Sequence, residues 1–167
     1  DQIIDPELTF QMAVEDYRRQ GYSEKWINER MRSIEMRKEL TDEWQRAGIH
    51  EQKDFAILTN ILTKAWSGMT TGEYKRHKGL TKENLRDNMT NVELALNTLA
   101  EVTATEISRQ RNPKGMAQTS QTAREGGEVA RNARADIESR IGRSVISSKR
   151  ALDYIQPIED TKAKELE

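Results

Sequence analysis

Few residues in this chain could do covalent or metal chemistry. There are two histidines, His50 and His77, at unrelated positions, and no cysteine. Thiolate zinc sites and disulfide frameworks are therefore excluded. A Ser-His-Asp triad would have to recruit one of the two histidines, and neither lies in a nucleophile-elbow pattern. No phosphate-binding P-loop and no dinucleotide fingerprint occurs. The carboxylate pairs Glu15-Asp16, Asp42-Glu43 and Glu159-Asp160 are adjacent in sequence. Neighbours do not share a helix face, so they are read as solvated surface rather than as acid–base couples. The expectation is a protein that is not an enzyme, with no catalytic residue, no metal and no cofactor.

The residues left are cations. One run is Tyr74-Lys-Arg-His-Lys-Gly-Leu80, and a looser group comprises Arg109, Arg111 and Lys114. Two readings compete. Lys75, Arg76 and Lys78 fall in the last turn before Gly79, where cations complement a helix dipole. The same side chains could contact phosphate, with Tyr74 placed to stack on an unpaired base. Arg109, Arg111 and Lys114 are equally ambiguous, since they end one helix and flank a loop. The candidate nucleic-acid-binding set is Lys75, Arg76, Lys78, Arg109, Arg111 and Lys114. From 103 to 150 there are ten Lys or Arg against five Asp or Glu, an excess of +5 in a chain of net charge −1. A moderately basic segment on an acidic body suits an anionic partner, although a mixed-charge helix face is the ordinary alternative.

These residues must be positioned by helices. Asp5-Pro6 is a helix opening with an N-cap and a proline at the first turn; that helix stops near Gly21. Ser23 opens a second of about 25 residues, with Trp26, Ile27, Met31, Ile34, Met36, Leu40, Trp44 and Ala47 at helical steps. A third spans residues 51–67, with Phe55, Leu58, Ile61, Leu62, Ala65 and Trp66 as its stripe. Thr70 and Glu73 form a capping box for a short fourth helix. Thr81 is expected to cap another over 82–88. Thr90 or Asn91 opens the next, whose inner face is read as Val92, Ala95, Leu96, Leu99, Val102 and Ile107. Asn112-Pro113 breaks it.

From 117 to 140 the inner positions are small: Ala123, Gly126, Ala130, Ala133, then Ile137 and Ile141. Such a face buries little area, so this helix is expected to be among the less stable, with a kink, fraying or a close crossing at Gly126-Gly127. Residues 144–147 suit an extended segment, and a last short helix reaches about Ile155. The three tryptophans read as core. The fold class is all-α, an irregular multi-helix bundle of five to seven helices with a long second helix. Residues 1–155 form a single domain built round the helices at 51–67 and 91–111, and 156–167 a flexible tail.

Hydrophobic residues make up 35% and charged residues 33%, a lean balance that favours an elongated helical protein or one that buries surface on a partner. No apolar run approaches the roughly 20 residues needed to span a bilayer, and no signal peptide is present. A cytoplasmic location is expected. A chain that begins at Asp1 rather than methionine is expected to lack preceding sequence. The long second helix and the small-residue sixth suggest a homodimer.

Several stretches have a family likeness. Asp54-Phe-Ala-Ile-Leu-Thr-Asn60, Tyr74-Lys-Arg-His-Lys-Gly-Leu80 and Asp87-Asn-Met-Thr-Asn-Val-Glu-Leu-Ala-Leu-Asn97 resemble the C-terminal region of the DNA-damage-inducible protein D (DinD) family. Tyr17-Arg-Arg-Gln-Gly21 and the stretch 40–48 resemble its linker helices, and Gln118-Thr-Ser-Gln-Thr122 continues the pattern. Gly142-Arg-Ser-Val-Ile-Ser-Ser148 departs from it. The resemblance implies a bacterial or prophage-associated protein of the SOS response. It implies a separate antirepressor-like DNA-binding domain upstream, and action on DNA or on a RecA-type recombinase bound to single strands. It supplies no catalytic residue. The expected function is a non-enzymatic DNA-damage response accessory protein that binds DNA, single-stranded more than double-stranded, or a recombinase filament. The alternative is a protein-binding or dimerisation module attached to that upstream domain.

Overall fold

The structure, a computed structural model, describes residues 6–150. Six α-helices account for most of them: α1 (Pro6–Gln20), α2 (Glu24–Arg46), α3 (Gln52–Ser67), α4 (Thr71–His77), α5 (Asn91–Arg111) and α6 (Gly115–Ile141). There is no strand among the described residues, so the all-α expectation holds. The Asp5 cap, the last short helix and the tail at 156–167 lie outside the described residues, wholly or in part.

Local signals set the helix ends. The Ser23 hydroxyl accepts from the Trp26 amide at 3.1 Å. Thr70 and Thr90 each form a full capping box, with Glu73 and Glu93, satisfying orphan amides at both starts. Asn112 takes a left-handed conformation to close α5, a geometry that asparagine tolerates better than most residues. The helix expected over 82–88 is not formed. A single 3-10 turn, Arg86–Asn88, stands in its place. The Asn84 side chain accepts from the Asp87 amide at 3.1 Å, a local alternative to helix hydrogen bonding. Residues 143–150 are irregular rather than extended.

Side-chain pairs fix the directions of the helices. Arg30–Asp87, Arg37–Glu101 and Arg109–Glu43 run up α2 and α5 together, so these two are parallel. Phe55 and Thr59 of α3 meet Trp44 and then Arg37 of α2, so α3 runs the other way, and α6 returns antiparallel to α5, with Thr122 at Ser108 and Gly126 at Ala104 and Ala100. The result is an up-down-up-down bundle of α2, α3, α5 and α6, with α1 against α2 and α4 beyond the end of α3. Trp26, Trp44 and Trp66 are fully buried, as expected.

The helices at 51–67 and 91–111 touch each other lightly, and α6 lies along both of them. Gly126 and Gly127 make this possible. A Cβ at Gly126 would sit 2.7 Å from the Ala100 carbonyl oxygen and from Ala104 Cβ of α5, and one at Gly127 would sit 2.7 Å from the Leu62 carbonyl oxygen of α3. The small-residue helix is thus the wedge of the bundle, and of the kink, fraying or close crossing expected at Gly126-Gly127 the structure shows the close crossing. Its small face is used within the chain, which removes that face as an argument for a second copy.

The expectation for α5 is corrected. Val92, Ala95 and Leu99 of the expected inner face are exposed, Val92 by 43% and Leu99 by 37%, whereas Leu96 is buried. The buried ridge is instead polar: Glu93, Asn97, Glu101, Thr105 and Ser108.

The close crossing yields a test. Adding a methyl to a filled contact costs about 1–3 kcal/mol, which outweighs the gain of ~1 kcal/mol from replacing glycine in a helix. Gly127→Ala should therefore lower the unfolding free energy measured in urea. Gly72→Ala, where a Cβ meets nothing within 4 Å, should leave it unchanged or raise it. Stabilisation by Gly127→Ala would refute the wedge.

Candidate nucleic-acid interface

The run 75–78 has one member that is not a surface residue. Lys78 and Glu93 have fully buried side chains, joined at 2.8 Å. The Lys78 ammonium also donates to the carbonyls of Ser147 at 2.8 Å and Lys149 at 2.7 Å. It thereby ties α4, α5 and the segment after α6 at one point. Glu93 accepts further from the Tyr74 hydroxyl and from the Thr90 amide. Burial lowers the Lys78 pKa, and the Glu93 charge offsets part of that shift. Burial, with Glu93 beside it, raises the Tyr74 phenol well above its ordinary value. Neither phosphate nor base can reach these groups. Lys78 therefore leaves the candidate set, and Tyr74 leaves the stacking role.

Lys75 is half-buried and Arg76 exposed. Neither forms an ion pair among the described residues. Lys114 is exposed and its ammonium is likewise unpaired, while its amide donates to the Gln118 side chain at 2.8 Å. Arg109 and Arg111 are exposed but engaged. Arg109 meets Glu106 at 2.9 Å, Glu39 at 3.5 Å and Glu43 at 3.8 Å. Arg111 grips Glu125 with both terminal guanidinium nitrogens, and this hydrogen bonding holds the Glu125 carboxyl below its ordinary pKa.

The six residues do not form one patch. Glu93, beneath Lys78, opens α5, and Arg109 and Arg111 close it, about 25 Å away at 1.5 Å per helical residue. Gly115 beside Lys114 donates its amide to the Ala47 carbonyl at 2.9 Å, which fixes that loop at the far end of α2. Folding also assembles a third cationic group, which sequence reasoning missed. Lys64 of α3 and Arg124 and Arg131 of α6 line a shallow groove of about 270 Å³ with Glu128. Arg124 and Arg131 are two helical turns apart, a spacing that signals a shared face. Their partner Lys64 comes from another helix. Glu73 feels both Lys64 and Arg76, so the groove adjoins the α4 run.

Among the described residues, no group of three His, Asp or Glu side chains is placed to hold a metal, and no helix is long and apolar enough to cross a membrane.

Fold and surface together define an all-α bundle with a polar, ion-paired core and dispersed surface cations. The chain belongs to the DinD C-terminal domain family, whose model matches residues 21–155. The family places it in the context of DNA-damage-inducible proteins. A comparison with curated proteins and one with solved structures each found no significant match.

The buried pair can be tested directly. Removing one partner of a buried ion pair costs about 3–5 kcal/mol. Lys78→Met should lose that much unfolding free energy in urea, and Lys78→Met/Glu93→Gln should recover part of it. Arg76→Ala should stay within about 0.5 kcal/mol of the parent. Equal stabilities for Lys78→Met and Arg76→Ala would place Lys78 at the surface after all.

Proposed function

We propose that this domain is a non-enzymatic accessory module of the DNA-damage response. It binds nucleic acid, single-stranded more than double-stranded, or a RecA-type recombinase filament formed on it. The supporting observation is a group of exposed cations that form no ion pair among the described residues: Arg76 on α4, with Lys64 and Arg131 in the adjoining groove. Charges already committed to carboxylates, as at Arg109 and Arg111, have less to gain from phosphate. The contact surface is therefore the α3–α4–α6 side, with Lys114 as an outlying contact.

A second reading has its own support. Val92, Ala95 and Leu99 of α5 and Ala133 and Ile137 of α6 line an open, mainly apolar groove of about 540 Å³. Such a surface suits a protein partner or a second copy, and it favours an assembly module tethered to a separate DNA-binding domain.

Fluorescence anisotropy of labelled single- and double-stranded DNA, at two salt concentrations, separates the two readings. Phosphate contacts make affinity fall with salt through counterion release. Lys64→Ala/Arg131→Ala should weaken binding and lower the salt slope by about one for each phosphate no longer neutralised. Arg109→Ala should change it little. Absence of binding at low salt, together with a dimer in solution that Leu99→Glu dissociates, would establish the second reading instead.

A further inference from the structure

A half-open cavity of about 130 Å³ lies where α3, α4 and α5 meet the segment before α5. Its lining includes Thr63, Thr71, Lys75 and Arg86, and no carboxylate. The surrounding charges are otherwise spent. Arg30 donates to Asp87 at 2.8 Å and to Ser33. Arg37 holds Glu101 at 3.2 Å and also donates to Thr59. Glu101 accepts in addition from Asn97 at 2.8 Å. Arg86 forms no side-chain hydrogen bond or ion pair among the described residues, and neither does the Lys75 ammonium.

An arginine in that position needs an explanation. Its guanidinium stays charged; burial lowers its pKa, the Glu101 charge offsets part of that shift, and Arg37 and Arg30 add to it. A half-buried guanidinium with no hydrogen-bonded carboxylate is unfavourable. The protein nonetheless holds Arg86 firmly in place. Asp87 accepts from the Tyr17 hydroxyl at 2.7 Å and from Arg30. The carbonyls of Asp87 and Met89 accept from Tyr22 and Trp26 at 2.8 Å each. The stack of Tyr22 on Trp26, centroids 3.9 Å apart, fixes those donors. A clamp of four side chains therefore anchors the backbone on the C-terminal side of an arginine that has no acceptor among the described residues.

We infer that this cavity is a binding site for a phosphate-type oxyanion, free or as a terminal phosphomonoester. Arg86 and Lys75 supply the charge, and the Thr63 and Thr71 hydroxyls supply neutral donors. Two cations match a dianion, and four donor groups from three elements match a tetrahedral set of oxygens better than a carboxylate. The volume equals the liquid share of about four waters at ~30 Å³ each, enough for a phosphate group. The site is separate from the surface cations proposed to contact nucleic acid, and it stands or falls without them.

Thermal unfolding of the protein with inorganic phosphate, against chloride at equal ionic strength, tests this. The parent should show a saturable rise in Tm with phosphate. Arg86→Gln should raise the phosphate-free Tm, by removing the unpaired charge, and abolish the phosphate-dependent rise. Lys75→Gln, at a half-buried position that should not endanger folding, should weaken apparent affinity roughly tenfold or more, the usual worth of a hydrogen bond to a charged group. Competition then separates the sources. A 5′-phosphorylated oligonucleotide that competes where its unphosphorylated twin does not assigns the site to strand ends, whereas competition by a nucleoside monophosphate alone assigns it to small molecules. No rise in the parent, or an equal rise in both variants, overturns the proposal. So does a phosphate-free Tm that falls in Arg86→Gln while the phosphate response persists, since Arg86 would then only balance the charge of Glu101.

Discussion

The bundle depends on a polar ridge buried along one face of α5. Glu93, Asn97, Glu101, Thr105 and Ser108 follow one another at helical steps, and all are buried. A carboxylate out of water costs several kcal/mol unless paired and hydrogen-bonded, so each must be met by a partner at the right height. Those partners come from every other layer: Tyr74 and Lys78 from α4, Trp66 from α3 at 3.2 Å, Arg37 from α2, and Thr122 of α6 at 3.3 Å from Ser108. Sliding α5 by one turn would separate several of these pairs at once. An apolar ridge would tolerate the slip far better, because apolar contact is not directional. The ridge thus sets the register of the bundle more than it adds to its stability.

The neighbouring face of α5 works by a different rule. Ala100 and Ala104 are fully buried, facing Gly126 of α6, and their small size lets the two backbones approach closely. Close approach gives dense contact without long side chains, so α6 reaches both α5 and α3 despite its modest apolar content. It also leaves α3 and α5 touching each other lightly. The gap between them is filled by Arg37, Asn97 and Thr59 in its middle and by the segment carrying Arg86 at one end. The cavity beside Arg86 is thus a consequence of the wedge: two helices held apart by a third leave a polar seam that side chains only partly fill.

What the sequence makes legible follows the range of each signal. Caps act over three residues, so Ser23, Thr70 and Thr90 can be read locally. So can the α3 stripe and the three buried tryptophans, whose size and apolarity admit one role. The inner face of α5 cannot be read by looking for apolar residues, because its polar ridge is buried only by virtue of partners distant in sequence, with Arg37 standing 64 residues from Glu101. Spacing leaves Lys78 between a helix dipole and a phosphate, and in the fold it serves neither. The Thr90-x-x-Glu93 spacing does announce Glu93 as a capping residue, and a capping carboxylate still has lone pairs for a lysine. The segment before α5 is the least legible, since its shape is imposed by Tyr17, Tyr22, Trp26 and Arg30 from well upstream.

Charge shows most clearly why order along a chain differs from order in space. The stretch 103–150 carries an excess of five positive charges and looks like a basic arm on an acidic body. Folding redistributes it. Glu39 and Glu43 of the acidic body come across to Arg109, Glu125 takes Arg111, and Arg134 turns inward to the carbonyl of Ser67 at 2.9 Å and to Glu138 at 3.0 Å. The basic segment therefore presents no uniform basic surface. Among the cations that neutralisation has passed over, Lys64, Arg76 and Arg131 are drawn from α3, α4 and α6, so no single stretch of sequence contains that group.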